Sequence, residues 1–213
     1  MKRGFLIGLV ILGYATSMIG FGFAASLNVN LLINPGFESG LTGWTTDNHG
    51  TLRSSDPLPH SGNYYLMGSD RAQYCSTSQI VDLLSCGFTT SDLDEGALLI
   101  NYGGWQSGYK DQTDSGKIMI TLKNTDNTVL ESQDLGWFYS NSTWTLLEGE
   151  LALNPGTRYI EFKFDSIRYN FTHNDGYLDD AFLKLNPVPI PGAIWLLGSG
   201  IIGMIGIRRK FRK

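Results

Sequence analysis

Alternation of apolar and polar residues dominates two segments in the middle of the chain, 117–123 and 158–165. Each segment places an apolar side chain at every second position, which is the pattern of a β-strand with one face buried and the other in water. The apolar residues of the two segments are therefore the predicted core: Ile118, Ile120, Leu122, Ile160, Phe162 and Phe164.

Short apolar stretches separated by turn-forming residues make up the rest of the region from residue 28 to residue 186. Asn154-Pro155-Gly156 suits a type II turn, because proline presets the backbone of the second position and glycine accepts a positive φ at the third. No long helical period is present. Further strands are predicted at residues 30–33, 64–68, 78–84, 97–102, 128–133, 144–151 and 177–185. About nine short strands in one domain predict an all-β fold, a β-sandwich of jelly-roll type.

The domain at residues 28–186 is strongly acidic. It carries all 20 Asp and Glu of the chain but only nine of the 16 Lys and Arg, which leaves it a net charge of −11. Proteins bind phosphate groups through cations, so this balance speaks against nucleic acid as a partner. It suits neutral ligands, metal cations or simple solubility.

Residues 1–25 are predicted to be a secretory signal peptide. Lys2 and Arg3 precede an apolar run at residues 5–23, and Ala-Ala-Ser follows at residues 24–26. This is a basic region, an apolar region and a cleavage zone of small residues, in the order that signal peptides have. An uncleaved anchor is the alternative, and the small residues favour cleavage. The domain that follows is therefore predicted to be exported.

The C-terminal segment, residues 188–213, joins an apolar stretch to a basic end. Residues 188–207 carry no charge, and a helix of that length rises about 30 Å, the thickness of a membrane hydrocarbon core. Two prolines at its start restrict the predicted transmembrane helix to residues 192–207. The basic tail 208–213 has five cations and no acid, as cytoplasmic flanks do.

This order of features resembles the PEP-CTERM sorting signal of Gram-negative, exopolysaccharide-producing bacteria, here in a V-P-x-P form. The resemblance implies processing by an exosortase, transient passage through the inner membrane, and a final place at the cell surface or in the extracellular matrix. A simple C-terminal membrane anchor is the alternative. The residues that carry the match are Val188, Pro189, Pro191, Trp195, Gly198, Ser199, Gly200, Arg208 and Arg209.

Cys75 and Cys86 both lie in the domain that is predicted to be exported. An even number of cysteines in an oxidising compartment favours a disulfide. If residues 79–84 form a straight strand, the two Cα atoms lie farther apart than the roughly 6 Å that a disulfide spans. A turn near Ser85 would bring the chain back. The pair is a candidate disulfide with both geometries open.

Known catalytic motifs are missing from the sequence, which has no G-x-S-x-G, no H-E-x-x-H and no G-x-x-x-x-G-K. His49, His60 and His173 are scattered without the spacing of metal ligands. Asp179 and Asp180 are neighbours, and on a strand they would point to opposite faces rather than form an acid–base pair. We therefore predict that the protein is not an enzyme.

Two motifs look like the first and last strands of galactose-binding-like jelly rolls, the fold of many carbohydrate-binding modules. They are N-P-G-F-E at residues 34–38 and L-D-D at residues 178–180. In some of these modules the positions of Glu38 and Asp180 lie near a structural calcium ion, so the resemblance implies a candidate calcium site there. No other cofactor is predicted.

The middle of the domain is also similar to the F-box-associated (FBA) domain, over residues 30–185. The likeness rests on residues 78–84, Gly87-Phe88, Asp92-Leu93-Asp94 and a Gly104-Trp105 loop. That family binds N-linked glycans through two loops at one end of the sandwich, which correspond here to residues 68–73 and 169–174.

Aromatic residues in loops are what sugar recognition needs, because one face of a pyranose is apolar while its hydroxyl groups need polar partners. The predicted function is therefore an exported, non-catalytic surface protein that binds an exopolysaccharide or another glycan. The alternative is a structural matrix or adhesion protein that uses the same sandwich without a sugar site. The candidate carbohydrate-binding residues are Asp70, Arg71, Gln73, Trp105, Tyr109, Tyr169, Phe171, His173 and Asn174.

Overall fold

Residues 27–189, the part that the structure (a computed structural model) describes, form ten strands and one short helix. In chain order these are β1 (Thr45–Thr46), β2 (Thr51–Arg53), β3 (Tyr65–Ser69), β4 (Tyr74–Asp82), α1 (Thr90–Asp94), β5 (Leu98–Ser107), β6 (Ser115–Lys123), β7 (Val129–Asp134), β8 (Thr145–Ala152), β9 (Tyr159–Ile167) and β10 (Asn174–Pro187). The strands make two antiparallel sheets, sheet I in the order β2-β3-β10-β5-β8 and sheet II in the order β1-β4-β9-β6-β7. The predicted all-β jelly-roll sandwich is confirmed.

The predicted signal peptide, the transmembrane helix 192–207 and the basic tail lie outside the described residues. Between residues 27 and 189, no helix is long and apolar enough to cross a membrane.

The core lies between the two sheets. All six predicted core residues on β6 and β9 are at most 1% exposed. β9 pairs with β4 on one side and with β6 on the other, so it is the central strand of sheet II. Its inward face packs in one cluster with side chains of sheet I, among them Ile100, Tyr102, Leu183 and Leu185. The alternating pattern therefore identified the centre of the sandwich.

β5 is longer than the strand predicted there. Glycine inside a strand usually marks a break or a close approach of another chain segment, and here it marks close approach. A Cβ on Gly103 would lie 2.2 Å from the carbonyl oxygen of Leu147, and one on Gly104 would lie 2.7 Å from Leu178 Cδ1. The expected Gly104-Trp105 loop is therefore wrong, since both residues lie within β5.

The N-terminal segment 27–35 runs alongside the second half of β10 without forming the predicted strand. The backbone N–H of Leu31 donates to the carbonyl of Leu183 at 2.8 Å. The side chain of Asn30 replaces further ladder bonds, because it accepts from Leu183 N at 3.1 Å and donates to the carbonyl of Ala181 at 2.9 Å. An asparagine amide thus takes the place of a regular strand pairing.

Cys75 and Cys86 do not form the candidate disulfide in the described structure. Cys75 is the second of the nine residues of β4, and Cys86 comes after the other end of that strand. At about 3.3 Å per residue, the strand separates the two Cα atoms far beyond the roughly 6 Å that a disulfide spans. The Cys75 thiol instead donates to the carbonyl of Asp47 at 2.9 Å.

Candidate functional site

Three loops meet at one end of the sandwich. They are residues 70–73 before β4, residues 108–114 before β6 and residues 168–173 before β10, and together they are called the loop end below. Arg168 ties the first loop to the third, because its backbone N–H donates to the carbonyl of Gln73 and its Nη1 donates to the carbonyl of Arg71, both at 2.8 Å. The two loops that the FBA resemblance implies are therefore neighbours.

Asp114 holds the backbone of the third loop, residues 168–173, in place. Its side chain is 1% exposed, and its Oδ1 accepts from the backbone N–H groups of Tyr169 and Asn170 at 2.7 and 2.9 Å. Its Oδ2 accepts from the N–H of Asp175 at 3.1 Å. A buried carboxylate with three backbone donors is well satisfied and fixes the backbone around it.

The tips of the loops present aromatic side chains to water. Tyr169 is 60% exposed and Phe171 is 82% exposed. Phe171 and Lys110 have φ angles of 54° and 47°, the left-handed region that bulky residues rarely adopt unless their surroundings impose it. The two residues line one shallow open cavity, with Tyr109, Asp111, Gln112 and Asn170.

Two cations lie close to the ring of Tyr109. The guanidinium of Arg53 lies 5.0 Å from the centre of its ring, and Nζ of Lys110 lies 4.6 Å from it. Arg53 also forms an ion pair of 3.2 Å with the buried carboxylate of Asp175 and donates to the hydroxyl of Tyr177 at 2.9 Å. Sequence reasoning missed Arg53, Lys110 and Asp114, because charged residues in loops or at strand ends carry no pattern of their own.

Seven of the nine candidate carbohydrate-binding residues lie in the loops of the loop end, and the other two, Asn174 and Trp105, lie on strands. Asn174 is fully buried, and its amide donates to the carbonyl of Gln73 at 3.2 Å, so it joins two loops rather than facing a ligand. Trp105 lies on β5 and stacks on the ring of His60 at 3.8 Å. The seven that remain are Asp70, Arg71, Gln73, Tyr109, Tyr169, Phe171 and His173.

Residues 54–63, called the cover loop below, lie against the outer face of sheet I. His60 of this loop stacks on Trp105, and Nε1 of Trp144 donates to the carbonyl of Leu58 at 2.8 Å. The side chain of Asp179 accepts from the N–H groups of His60 and Ser61 at 2.9 and 3.2 Å. Burial raises the pKa of Asp179 to about 7. Because its ring stacks on His60, Trp105 stabilises the cover loop.

Asp179 and Asp180 do not point to opposite faces as expected. The pairing of β10 shifts register between Asp179 and Phe182, and Asp180 has a φ of 44°. This bulge lets both carboxylates reach the cover loop, where Asp180 lies 2.6 Å from Nδ1 of His60 and accepts from Ser61 Oγ at 2.8 Å. A bulge cancels the strict alternation of a strand.

Glu38 and Asp180 do not fit the candidate calcium site. Glu38 accepts from the backbone N–H groups of Asn63 and Tyr64 at 2.7 and 2.9 Å, and these bonds lower its pKa. Calcium needs several oxygen ligands, whereas N–H and O–H donors surround both of these carboxylates. Among residues 27–189, no group of three or more His, Cys, Asp or Glu side chains could hold a metal ion.

No protein-family model matches the chain, and no curated protein matches it. Several solved structures, however, are similar to the chain. A carbohydrate-binding module of family 16 has a TM-score of 0.53 and 17% identity over 72% of this chain and 99% of its own. A family 22 xylan-binding domain from Paenibacillus barcinonensis has a TM-score of 0.50 and 13% identity over 78% of this chain and 100% of its own.

A third similar structure is the enzymatically active domain of a tailspike protein of bacteriophage CBA120. It has a TM-score of 0.54 and 12% identity over 75% of this chain, which spans only 22% of the tailspike chain. At such identities the likeness is one of fold. The fold is the jelly-roll sandwich of carbohydrate-binding modules.

Proposed function

We propose that this chain binds carbohydrate through the loop end, as an exported protein without catalytic activity of its own. The observation that carries the proposal is Phe171, which is 82% exposed on a left-handed backbone whose neighbours are anchored by Asp114. A phenylalanine held in water in this way contributes little to the core. It suits a partner that offers an apolar face.

A pyranose ring is such a partner, because its C–H face stacks on an aromatic ring while its hydroxyl groups bind polar side chains. Phe171 supplies the open ring, and Tyr109 lines the same cavity. Asp111, Gln112 and Asn170 line the same cavity and supply polar groups. One aromatic contact contributes about 0.5–1.5 kcal/mol, so a single site binds weakly and several copies on one polysaccharide bind through avidity.

The fold supports the class of ligand. Two similar structures are carbohydrate-binding modules, and one of them is described as xylan-binding. A shared fold alone does not fix a ligand, because sites are added to folds independently. The exposed aromatic loop is the independent support, and the proposed ligand is an exopolysaccharide or another glycan rather than xylan in particular.

The two ends of the chain support the proposed destination. The pattern of residues 1–25 is that of a signal peptide, and residues 188–213 carry the V-P-x-P motif, apolar stretch and basic tail of an exosortase substrate. We propose processing near the proline motif and a place at the cell surface or in the matrix. Intact-mass measurement of the surface protein tests this, and a chain that still ends at Lys213 would favour a simple membrane anchor.

A glycan array probed with the full chain tests the binding function. It should include xylan- and cellulose-derived oligosaccharides, galactans and the producer's own exopolysaccharide. Phe171→Ala should weaken binding about threefold to tenfold, the loss of one aromatic contact. Val129→Ala is the matched control, because Val129 is 55% exposed on β7, away from the loop end.

Binding that Phe171→Ala and Tyr169→Ala leave unchanged would reject the loop end as the site. Absence of binding to every glycan, with the fold intact by circular dichroism, would reject the function. The protein would then be a structural matrix or adhesion protein built on the same sandwich.

A further inference from the structure

A second cleft flanked by aromatic side chains lies on sheet II. Tyr74, the first residue of β4, is 56% exposed, and Trp137, which follows β7, is 48% exposed. Both line the same cavity. The backbone beside Trp137 is fixed, because Phe138 and Gly116 exchange two hydrogen bonds of 2.9 and 2.8 Å. Two exposed rings thus line one cavity, and the backbone beside one of them is fixed.

The cleft between the rings is polar. Asp165 of β9 lies opposite Ser76 of β4 in the strand pairing, and its carboxylate accepts a hydrogen bond from the Ser76 hydroxyl. Nζ of Lys163 lies 3.4 Å from the same carboxylate, and Asp47 also lines the cavity. A carboxylate, a hydroxyl and an ammonium group therefore share one small area.

Trp137 has a cation as a neighbour. Nζ of Lys117 lies 4.8 Å from the centre of its ring and 3.7 Å from a carboxylate oxygen of Asp134. Lys117 keeps only 18% of its side chain exposed, so the contact is partly shielded from water and holds the ring more firmly than an exposed one does. The indole nevertheless keeps nearly half of its surface open to a ligand.

The chemistry of the cleft matches one sugar ring. Each hydroxyl group of a sugar both donates and accepts a hydrogen bond, and the carboxylate, hydroxyl and ammonium groups supply both kinds of partner. The cavity of about 260 Å³ is smaller than the roughly 300–1,000 Å³ of pockets that enclose drug-sized ligands. Two carboxylates, those of Asp47 and Asp165, line the cavity with one ammonium group, that of Lys163, so a neutral hexose meets less repulsion than a uronate.

We propose that this cleft, bounded by Tyr74 and Trp137 with Asp165 and Lys163 between them, is a second carbohydrate site that takes a neutral hexose. Its class of ligand rests on the function proposed above, whereas its residues are separate from those that bear the loop-end rings. Two sites on one domain bind a repeating polysaccharide through avidity, so each of them can be weak.

Nuclear magnetic resonance of the full chain tests the second site directly. The probes are the methyl glycosides of glucose, galactose and mannose, with glucuronate as the charged comparison. The indole N–H signal of Trp137, assigned by its loss in Trp137→Phe, should move with at least one neutral glycoside and less with glucuronate. Followed through the signals of the glycoside itself, Trp137→Ala should weaken that binding about threefold to tenfold, whereas Val129→Ala should leave it unchanged.

The outcomes separate this site from the loop end. If Phe171→Ala removes all binding and the Trp137 signal never moves, the second site is rejected and the proposed function stands. If the Trp137 signal moves in Phe171→Ala as it does in the wild type, the second site stands by itself. A stronger response to glucuronate than to every neutral glycoside would overturn the proposed ligand class. No response to any probe would reject the second site.

Discussion

Loss of Arg53 should lower the free energy of unfolding, because the buried carboxylate of Asp175 would then have no cation beside it. Nη1 of Arg53 lies 3.2 Å from Asp175 Oδ1, and the two side chains are 23% and 3% exposed. The hydroxyl of Tyr177 donates to the same carboxylate at 2.6 Å. Replacing Arg53 by methionine keeps much of the hydrocarbon volume but leaves the charge of Asp175 without its cation.

The expected loss of stability is large for a single residue that is partly exposed. Removing one partner of a buried ion pair costs about 3–5 kcal/mol, because the other charge stays buried and unpaired. Arg53 is partly exposed, so water can reach the pair from one side and we expect the lower end, about 3 kcal/mol. With a urea m-value of about 1–3 kcal/mol/M, the midpoint of unfolding falls by about 1–3 M.

The loss should also depend on pH. Burial raises the pKa of Asp175, and the charge of Arg53 opposes that rise, while Asp114 adds to it and His173 opposes it. Without Arg53 the folded-state pKa rises further above the unfolded value of about 3.9. Such a carboxyl costs nothing below the unfolded pKa and destabilises the fold as pH rises between the two values. The deficit is therefore smallest near about pH 4 and grows toward neutrality.

Urea unfolding from acid to neutral pH measures this loss of stability. The proteins compared are the wild type, Arg53→Met, Asp175→Asn and the double variant. At neutral pH the double variant should be more stable than Arg53→Met, because it has no unpaired charge to bury. A loss under about 1 kcal/mol, the size of an exposed pair, would refute the reasoning. So would a loss that is equal at every pH, or a double variant without recovery.

Three further predictions concern other parts of the domain. Hydrogen bonds from Arg158 lower the pKa of Asp94 to about 2. The ionised carboxylate therefore stabilises the fold above the unfolded pKa of about 3.9, and this contribution is lost as the pH falls. In Asp94→Asn, the free energy of unfolding, measured by tryptophan fluorescence, should fall less steeply in acid than in the wild type. Gly103→Ala should destabilise the fold by about 1–3 kcal/mol through overpacking, and an unchanged Tm would show that β8 yields without cost. Dithiothreitol should leave the unfolding midpoint unchanged, since Cys75 and Cys86 lie at opposite ends of β4; a lower midpoint in the reductant would mean that they are joined.

The sandwich could be predicted from the sequence because each of its central strands has one face in the core and the other in water. Ile118 and Phe162 are fully buried, and both belong to strands whose outer faces meet water, so alternation marks them. β5 was predicted too short, at residues 97–102, because its two glycines serve packing rather than a turn. Trp105 was misplaced for the same reason, since a residue expected in a loop was on a strand.

The candidate site was predicted as a set of loops but not in its details. Phe171 and Tyr169 were predicted as exposed candidates because aromatic residues in a loop have a chemical reason to be considered, and both are exposed. Asn174 could not be recognised as a buried link, because its burial depends on the carbonyl of Gln73, about a hundred residues earlier in the chain. Trp137 and Tyr74 come together only through strand pairing, which has no local signal.

The cover loop gives a physical reason to place the proposed glycan sites at the end of the sandwich and on sheet II rather than on the outer face of sheet I. Trp105 and Trp144 lie on that face, but one stacks on His60 and the other donates to the carbonyl of Leu58, so both hold the chain's own backbone. An aromatic ring that already stacks on a side chain gains little from a sugar, because the sugar would first have to displace that contact. A ring with an open face, such as that of Phe171, which is 82% exposed, would bind without this cost.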